Sequence, residues 1–254
     1  MSKTAVVTGG ASGIGLCTVE TLMAQGWTVW VLDLSEGKGD SRAGKPEGAA
    51  RYKFQQCDVA NAGSVQAAFD EIKRHTDKLD ALICSAGIVR TGSLEQHTLE
   101  QVDAMIGVNL KGPWLCIREA LPLLRKDSSV TDPSRVVIVG SIGGIRPKVG
   151  TGFYGATKAA VHVITGVFAA ELAPTGVIVN AVAPGTVATP MIESVQTQQD
   201  GSGFKLSGDS PLGRIAQPED VVDVIMFFLS DASKFVNGTI LPVDGGTRAA
   251  FIKK

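Results

Sequence analysis

Short apolar runs, each closed by Gly, Asp, Ser or Asn, recur along the chain and are separated by longer stretches with helical spacing. The runs at 4–8, 28–33, 52–58, 81–85, 135–141, 177–183 and 240–243 predict strands. Helices are expected at 15–25, 63–75, 99–124, 152–172 and 218–230. The V-V-I-V run at 136–139 has no polar alternation, the pattern of a strand buried on both faces in a parallel sheet covered by helices. Strand and helix in alternation therefore predict an α/β fold, with one doubly wound parallel sheet of about seven strands and helices on both faces. A chain of 254 residues suits a single domain of this kind over 1–254.

Two segments break the rhythm. Residues 35–50 are rich in Gly, Ser and Lys and read as a surface connection; residues 191–210 are polar, with Gln196, Gln198 and Gln199 and three glycines. The second follows a strand, on the side of an α/β sheet where ligands bind, and is expected to be a mobile lid.

Composition sharpens this picture. Thirty glycines are about 12% of the chain, against an average near 7%. Each Gly in an ordered element costs about 0.5–1 kcal/mol in chain entropy, so the excess implies backbone brought close to something. The net charge is −1, with 24 basic and 25 acidic side chains and no basic stripe, which argues against nucleic acid as a partner. No apolar run approaches the roughly 18 residues of a membrane span, and residues 1–8 lack the features of a signal peptide, so a cytoplasmic protein without a membrane partner is expected. Cys17, Cys57, Cys84 and Cys116 have no metal-binding spacing; they read as small buried hydrophobes, and no metal is expected.

After the first predicted strand comes T-G-G-A-S-G-I-G, Thr8 to Gly15, running straight into a helix. Gly9, Gly13 and Gly15 permit a tight turn and close approach of backbone to a pyrophosphate, which the free N–H groups and positive dipole end of a helix favour. Ser12 and Ile14 belong to the same turn. About 20 residues on stands Asp33, where a carboxylate can accept hydrogen bonds from a ribose diol. Asp33 disfavours a 2′-phosphate, and Ser12 stands where a basic side chain would help one. NAD is expected over NADP, with Lys38 and Arg42 the residues able to offset this.

Tyr154 and Lys158 stand four residues apart in Y-G-A-T-K near the start of a predicted helix, and so project from one face. Ser141 ends the preceding strand and can reach the same crevice. A phenol ordinarily titrates near 10; lowering it by about 3 units takes roughly 4 kcal/mol of differential interaction, for which a neighbouring ammonium and a positive nicotinamide ring are sources. Ser141 is expected to hold a substrate oxygen while Tyr154 removes or supplies its proton.

These motifs resemble those of the short-chain dehydrogenase/reductase family in its single-domain, Rossmann-type form, over essentially the whole chain. They occur in order: T-G-G-A-S-G-I-G at 8–15, C-D-V at 57–59, A-G at 86–87, V-N-L at 108–110, G-S at 140–141, Y-G-A-T-K at 154–158 and A-P-G-T-V-A-T-P at 183–190. The resemblance implies that Asn109 bends a helix and joins Lys158 to solvent through a water held on its carbonyl. It implies that Asp58 and Val59 contact adenine, and that Leu34, Ser85, Ala86 and Gly87 line the cofactor. Pro184, Gly185, Val187 and Thr189 would grip the nicotinamide carboxamide, and Lys158 would bind the nicotinamide ribose. One motif departs: Cys84-Ser85-Ala86-Gly87 stands where many relatives have Asn-Asn-Ala-Gly, and Ser85 lacks the amide that would tie neighbouring strands.

The expected activity is an NAD-dependent oxidoreductase acting on a secondary alcohol or its ketone. Val149, Phe153, Val187, Met191, Ile192 and Phe204 would form an apolar substrate wall beside Ser141 and Tyr154, while Arg146 and Lys148 could recruit an acid. One alternative is a 3-oxoacyl-thioester reductase using NADPH; another, of a different class, is a non-catalytic dinucleotide-binding sensor or scaffold, which has no need of the phenol. Trp114, Leu115, Val161, Ile164 and Phe168 lie on more than one face of their helices, and the resemblance implies a homotetramer, with a dimer second.

Overall fold

The computed structural model describes residues 2–37, 50–197 and 208–249. Seven strands, β1 (Thr4–Thr8), β2 (Thr28–Asp33), β3 (Tyr52–Gln56), β4 (Ala81–Cys84), β5 (Ser134–Val139), β6 (Val177–Pro184) and β7 (Ile240–Val243), form one sheet in the order β3-β2-β1-β4-β5-β6-β7. All six pairings are parallel. The chain works outward from β1 to β3, then returns to lay β4 on the other side of β1. That reversal opens a crevice beyond the carboxyl ends of β1 and β4.

Alternation along the central strands builds a core on each face. Val6 and Leu82, paired in register, pack with Phe69, Ile117 and Leu172 on one side. Their neighbours Val7 and Ile83 pack with Leu22, Ile225 and Phe228 on the other. The first face is covered by α2 (Ala62–Lys73), α4 (Gly112–Leu124) and α5 (Gly152–Leu172), the second by α1 (Gly13–Ala24) and α7 (Pro218–Phe228).

All seven predicted strands are present, but β3, β4 and β5 stop two, one and two residues before their expected ends. The trailing residues bend away into the crevice. The expected single helix 99–124 is two: α3 (Leu99–Ile106) and α4, joined by a wide π-helical turn, Gly107–Lys111, whose Asn109 is fully buried. The expected lid region opens with a helix, α6 (Pro190–Thr197); its residues 198–207 lie outside the described residues. Cys57, Cys84 and Cys116 are buried free thiols; burial pushes Cys84 up to about 12, far from a reactive thiolate.

One stretch, Gly152–Thr175, is apolar and long enough to cross a bilayer, with a mean hydropathy of 1.2. Here its Val161, Ala169 and Leu172 pack on the sheet, and Thr157, Lys158 and Thr165 are buried against the protein's own interior. Leu115 and Val161 face this core, so of the residues expected at a subunit contact Trp114 is the outward one.

Candidate active site

The turn between β1 and α1 is built from glycines that nothing larger could replace. Gly9 has φ of +64°, and an added Cβ would sit 2.7 Å from the Cα of Ala86; one added to Gly15 would run into the Gly9 carbonyl. The loop therefore passes directly against the Ser85–Ala86 main chain just beyond β4. Ser12 caps α1 without a side-chain hydrogen bond, and the first turn holds no acid. Its amides and positive dipole end are left for an anion in the crevice.

Asp33 closes this loop from the end of β2. Its Oδ2 accepts from the Ala11 amide at 3.0 Å and its Oδ1 from the Leu34 amide at 2.7 Å. Each carboxylate oxygen keeps capacity for a second donor such as a ribose hydroxyl. Lys38 and Arg42 lie outside the described residues. Asp58 accepts from the Ala60 amide at 2.9 Å, and its own amide donates to Ser64 Oγ at 2.9 Å, which sets the Asp58–Val59 bend. The missing Asn at 85 is offset from β1: Ser85 N donates to the Thr8 carbonyl and Ala86 N to Thr8 Oγ1, both at 3.2 Å.

A cavity of about 250 Å³ follows this path. Gly9, Ser12, Gly13, Ile14, Asp33, Leu34, Asp58, Val59, Ser85, Ala86 and Gly87 line one part; Pro184, Gly185, Val187, Thr189, Ser141, Tyr154, Lys158 and Met191 line the rest. Across its width, Thr189 packs on Gly13, its Cγ2 3.3 Å from where a Cβ would be. Glycine loop, unneutralised helix terminus and strand-end acid in one cleft fit a dinucleotide. Gly15 is buried in the first turn of α1 and does not itself line the cavity. Two expected substrate residues are not brought to the cavity: Val149 is 92% exposed in the loop before α5, and Phe153, in the first turn of α5, packs edge-on against His97. Ile88 and Val108, not expected from the sequence, line the cavity beside the expected Met191 and Ile192; their position next to the Ala86-Gly87 and Val108-Asn109-Leu110 motifs was the available signal for them.

The catalytic side chains meet at the end of β5. Lys158 is 4% exposed, and its Nζ donates to the Val139 carbonyl at 2.8 Å. Burial pushes this ammonium down to about 8. Nζ stands 5.9 Å from the centre of the Tyr154 ring. Burial holds the Tyr154 phenol above its ordinary value, and a hydrogen bond with Ser141 opposes that rise. Ser141 Oγ in turn accepts from the Gly143 amide at 3.0 Å.

Asn109 supports this group from below. Its Oδ1 accepts from Ile88 N at 2.8 Å, and its Nδ2 donates to the Ile88 carbonyl at 2.9 Å and to Thr157 Oγ1 at 3.2 Å. Thr157 Oγ1 donates to the Tyr154 carbonyl at 2.8 Å, so the wide turn is tied to the first turn of α5. The chain thus places a titratable phenol, a buried ammonium and an oriented hydroxyl together at the end of a dinucleotide cleft, an arrangement suited to moving a proton to or from an oxygen as a hydride is exchanged.

Comparison with known proteins agrees with that chemistry. A family model described as enoyl-(acyl carrier protein) reductase matches residues 9–248. Cyclopentanol dehydrogenase of Comamonas sp. is 34% identical over 248 residues, covering 97% of each chain. The crystal structure of levodione reductase superposes with a TM-score of 0.88 at 30% identity, over 98% of each chain. That of 3-ketoacyl-(acyl-carrier-protein) reductase from Brucella melitensis, complexed with NADH, gives 0.85 at 28% identity, over 96% of this chain and 98% of that one. The likeness covers nearly the whole chain, and on it the chain belongs to the short-chain dehydrogenase/reductase family and is an oxidoreductase.

Proposed function

We propose that this oxidoreductase moves hydride between NAD(H) and an uncharged secondary alcohol or ketone. The observation that carries the reading is the meeting of Ser141, Tyr154 and Lys158 in the same cavity as the 8–15 loop and Asp33. The bound cofactor supplies the hydride or takes it up at its nicotinamide ring. Ser141 holds the substrate oxygen, and Tyr154 gives or takes its proton. Lys158 favours the phenolate and would bind the nicotinamide ribose; with the positive charge of an oxidised nicotinamide it would offset the burial that raises the phenol. Asn109 holds the wide turn that shapes this floor.

What supports a preference for NAD is Asp33, a carboxylate lining the cleft at the end of β2, which would repel a 2′-phosphate. The apolar lining from Ile88, Val187, Met191 and Ile192 favours a hydrocarbon substrate over an acid. Cyclopentanol, in the name of one relative, is a secondary alcohol on a small ring, and cyclic alcohols are the substrates to try first.

The test is a panel of cyclic, aliphatic and aromatic secondary alcohols, and one 3-oxoacyl thioester, assayed with each cofactor by nicotinamide absorbance. Turnover of ring alcohols with a higher kcat/KM for NAD is expected, with Asp33→Ala narrowing that preference. Turnover of the thioester alone, with NADPH, would place the acyl-thioester reductase first.

A further inference from the structure

His162 lies on α5 one turn beyond Lys158 and two beyond Tyr154, on the same stripe of the helix. Its ring is packed beneath residues 140–144, the segment that carries Ser141. A Cβ added to Gly140 would collide with Nε2 and lie 2.9 Å from Cδ2; one added to Gly144 would lie 2.7 Å from the main chain of Lys158 and Ala159 and 2.9 Å from Cε1. Glycine at 140 makes room for the flat ring, and glycine at 144 lets the far end of the segment rest on both the ring and the α5 main chain. The main chain between those ends is closed on itself, with Gly144 N donating to the Ser141 carbonyl at 3.0 Å and Gly143 N to Ser141 Oγ at 3.0 Å. Gly140 N is pinned to the Val182 carbonyl at 2.8 Å. With the segment fixed to β6 at Gly140 and resting on the α5 main chain at Gly144, the imidazole fills the space beneath it between these two ends.

Hydrogen bonding does not explain the residue. Nε2 is buried without a hydrogen-bond partner among the described residues, an arrangement that costs stability where an aliphatic side chain would not. Burial and the Lys158 ammonium push the imidazole down to about 4, so it is neutral at ordinary pH and adds no charge beside Lys158.

We propose that His162 is a positioning residue, a neutral wedge against Gly140 and Gly144 that sets the height of the Ser141 hydroxyl beneath the Tyr154 phenol. This rests on the reading that Ser141 and Tyr154 handle the substrate oxygen.

The test uses the full chain with an alcohol that the wild type oxidises, and measures kcat, KM and the Kd for NADH. His162→Ala and His162→Asn are expected to lower kcat by about 10- to 100-fold, the scale on which a displacement of about 1 Å acts, with NADH affinity within about twofold. Gly140→Ala presses on the same contact from above, so combining it with His162→Ala should cost less than the product of the two single losses. Wild-type kcat in both His162 variants would overturn the proposal. A loss of NADH affinity equal to the loss of kcat, or strictly multiplicative losses in the double variant, would overturn it too. Should His162→Ala not fold, His162→Asn carries the comparison. Tyr154→Phe assayed alongside separates the two readings: retained turnover there sinks the functional assignment, whereas an inactive Tyr154→Phe with fully active His162 variants sinks the wedge alone.

Discussion

Lys158 is the residue where stability and activity oppose each other most clearly. Burial lowers its titration from an ordinary value near 10.5 to about 8. Between those values the folded chain binds fewer protons than the unfolded one. The cost of burial is therefore absent above about pH 10.5, grows as pH falls, and is complete below about pH 8. At pH 7 it is on the order of 3 kcal/mol at most. Lys158→Met should raise the Tm of the protein at pH 7 by a few degrees and lose the advantage as pH approaches 10.5, while abolishing turnover. Thermal melts across that range check this; a lower Tm for the variant at pH 7 would contradict it. The pairing of Tyr154 with Lys158 is readable from spacing alone. That burial dominates both titrations is not; for Lys158 it depends on Val139 of β5, Cys84 of β4 and Gly87 beyond β4 closing over the ammonium.

At the scale of elements, the wide turn Gly107–Lys111 joins the substrate end of the cleft to α5 through one side chain. Asn109→Ala would leave the part-buried N–H and C=O of Ile88 without their side-chain partners. A loss of about 1–2 kcal/mol is expected, seen as a Tm lower by roughly 3–6 °C with reduced kcat; an unchanged Tm would contradict it. The strands were legible because central parallel strands are uniformly apolar, and 152–172 was legible to the residue. The break at 107–111 was not, since Val108 and Leu110 continue an apolar pattern while the interruption is made by Asn109 turning toward Ile88. Helix α6 was hidden by its polar surface and its start at Pro190. His162 carried no signal either: its place depends on two glycines about twenty residues away that meet it only in the folded chain.

Over the whole molecule, apolar side chains remain outside both cores. Trp114 on α4 and Val163 and Val167 on α5 are 42%, 67% and 50% exposed, and Val163 and Val167 lie one turn apart on one face. We propose that this face joins subunits in a homotetramer. Light scattering should give four times the chain mass of 26.4 kDa, and Val163→Lys with Val167→Lys a smaller particle; a monomeric wild type would contradict it. Every crevice loop leaves the same edge of the sheet, so the phosphate turn, the ribose acid and the proton-handling group are held by one rigid frame while the substrate end varies. The central claim is that Tyr154 handles the proton of the substrate oxygen within that frame. Its most direct test is stopped-flow measurement of hydride transfer from preformed NADH complexes of wild type and Tyr154→Phe to a ketone that the wild type reduces. Unchanged NADH affinity with transfer slower by about 10²–10⁴-fold is expected; transfer within tenfold of wild type would contradict the assignment.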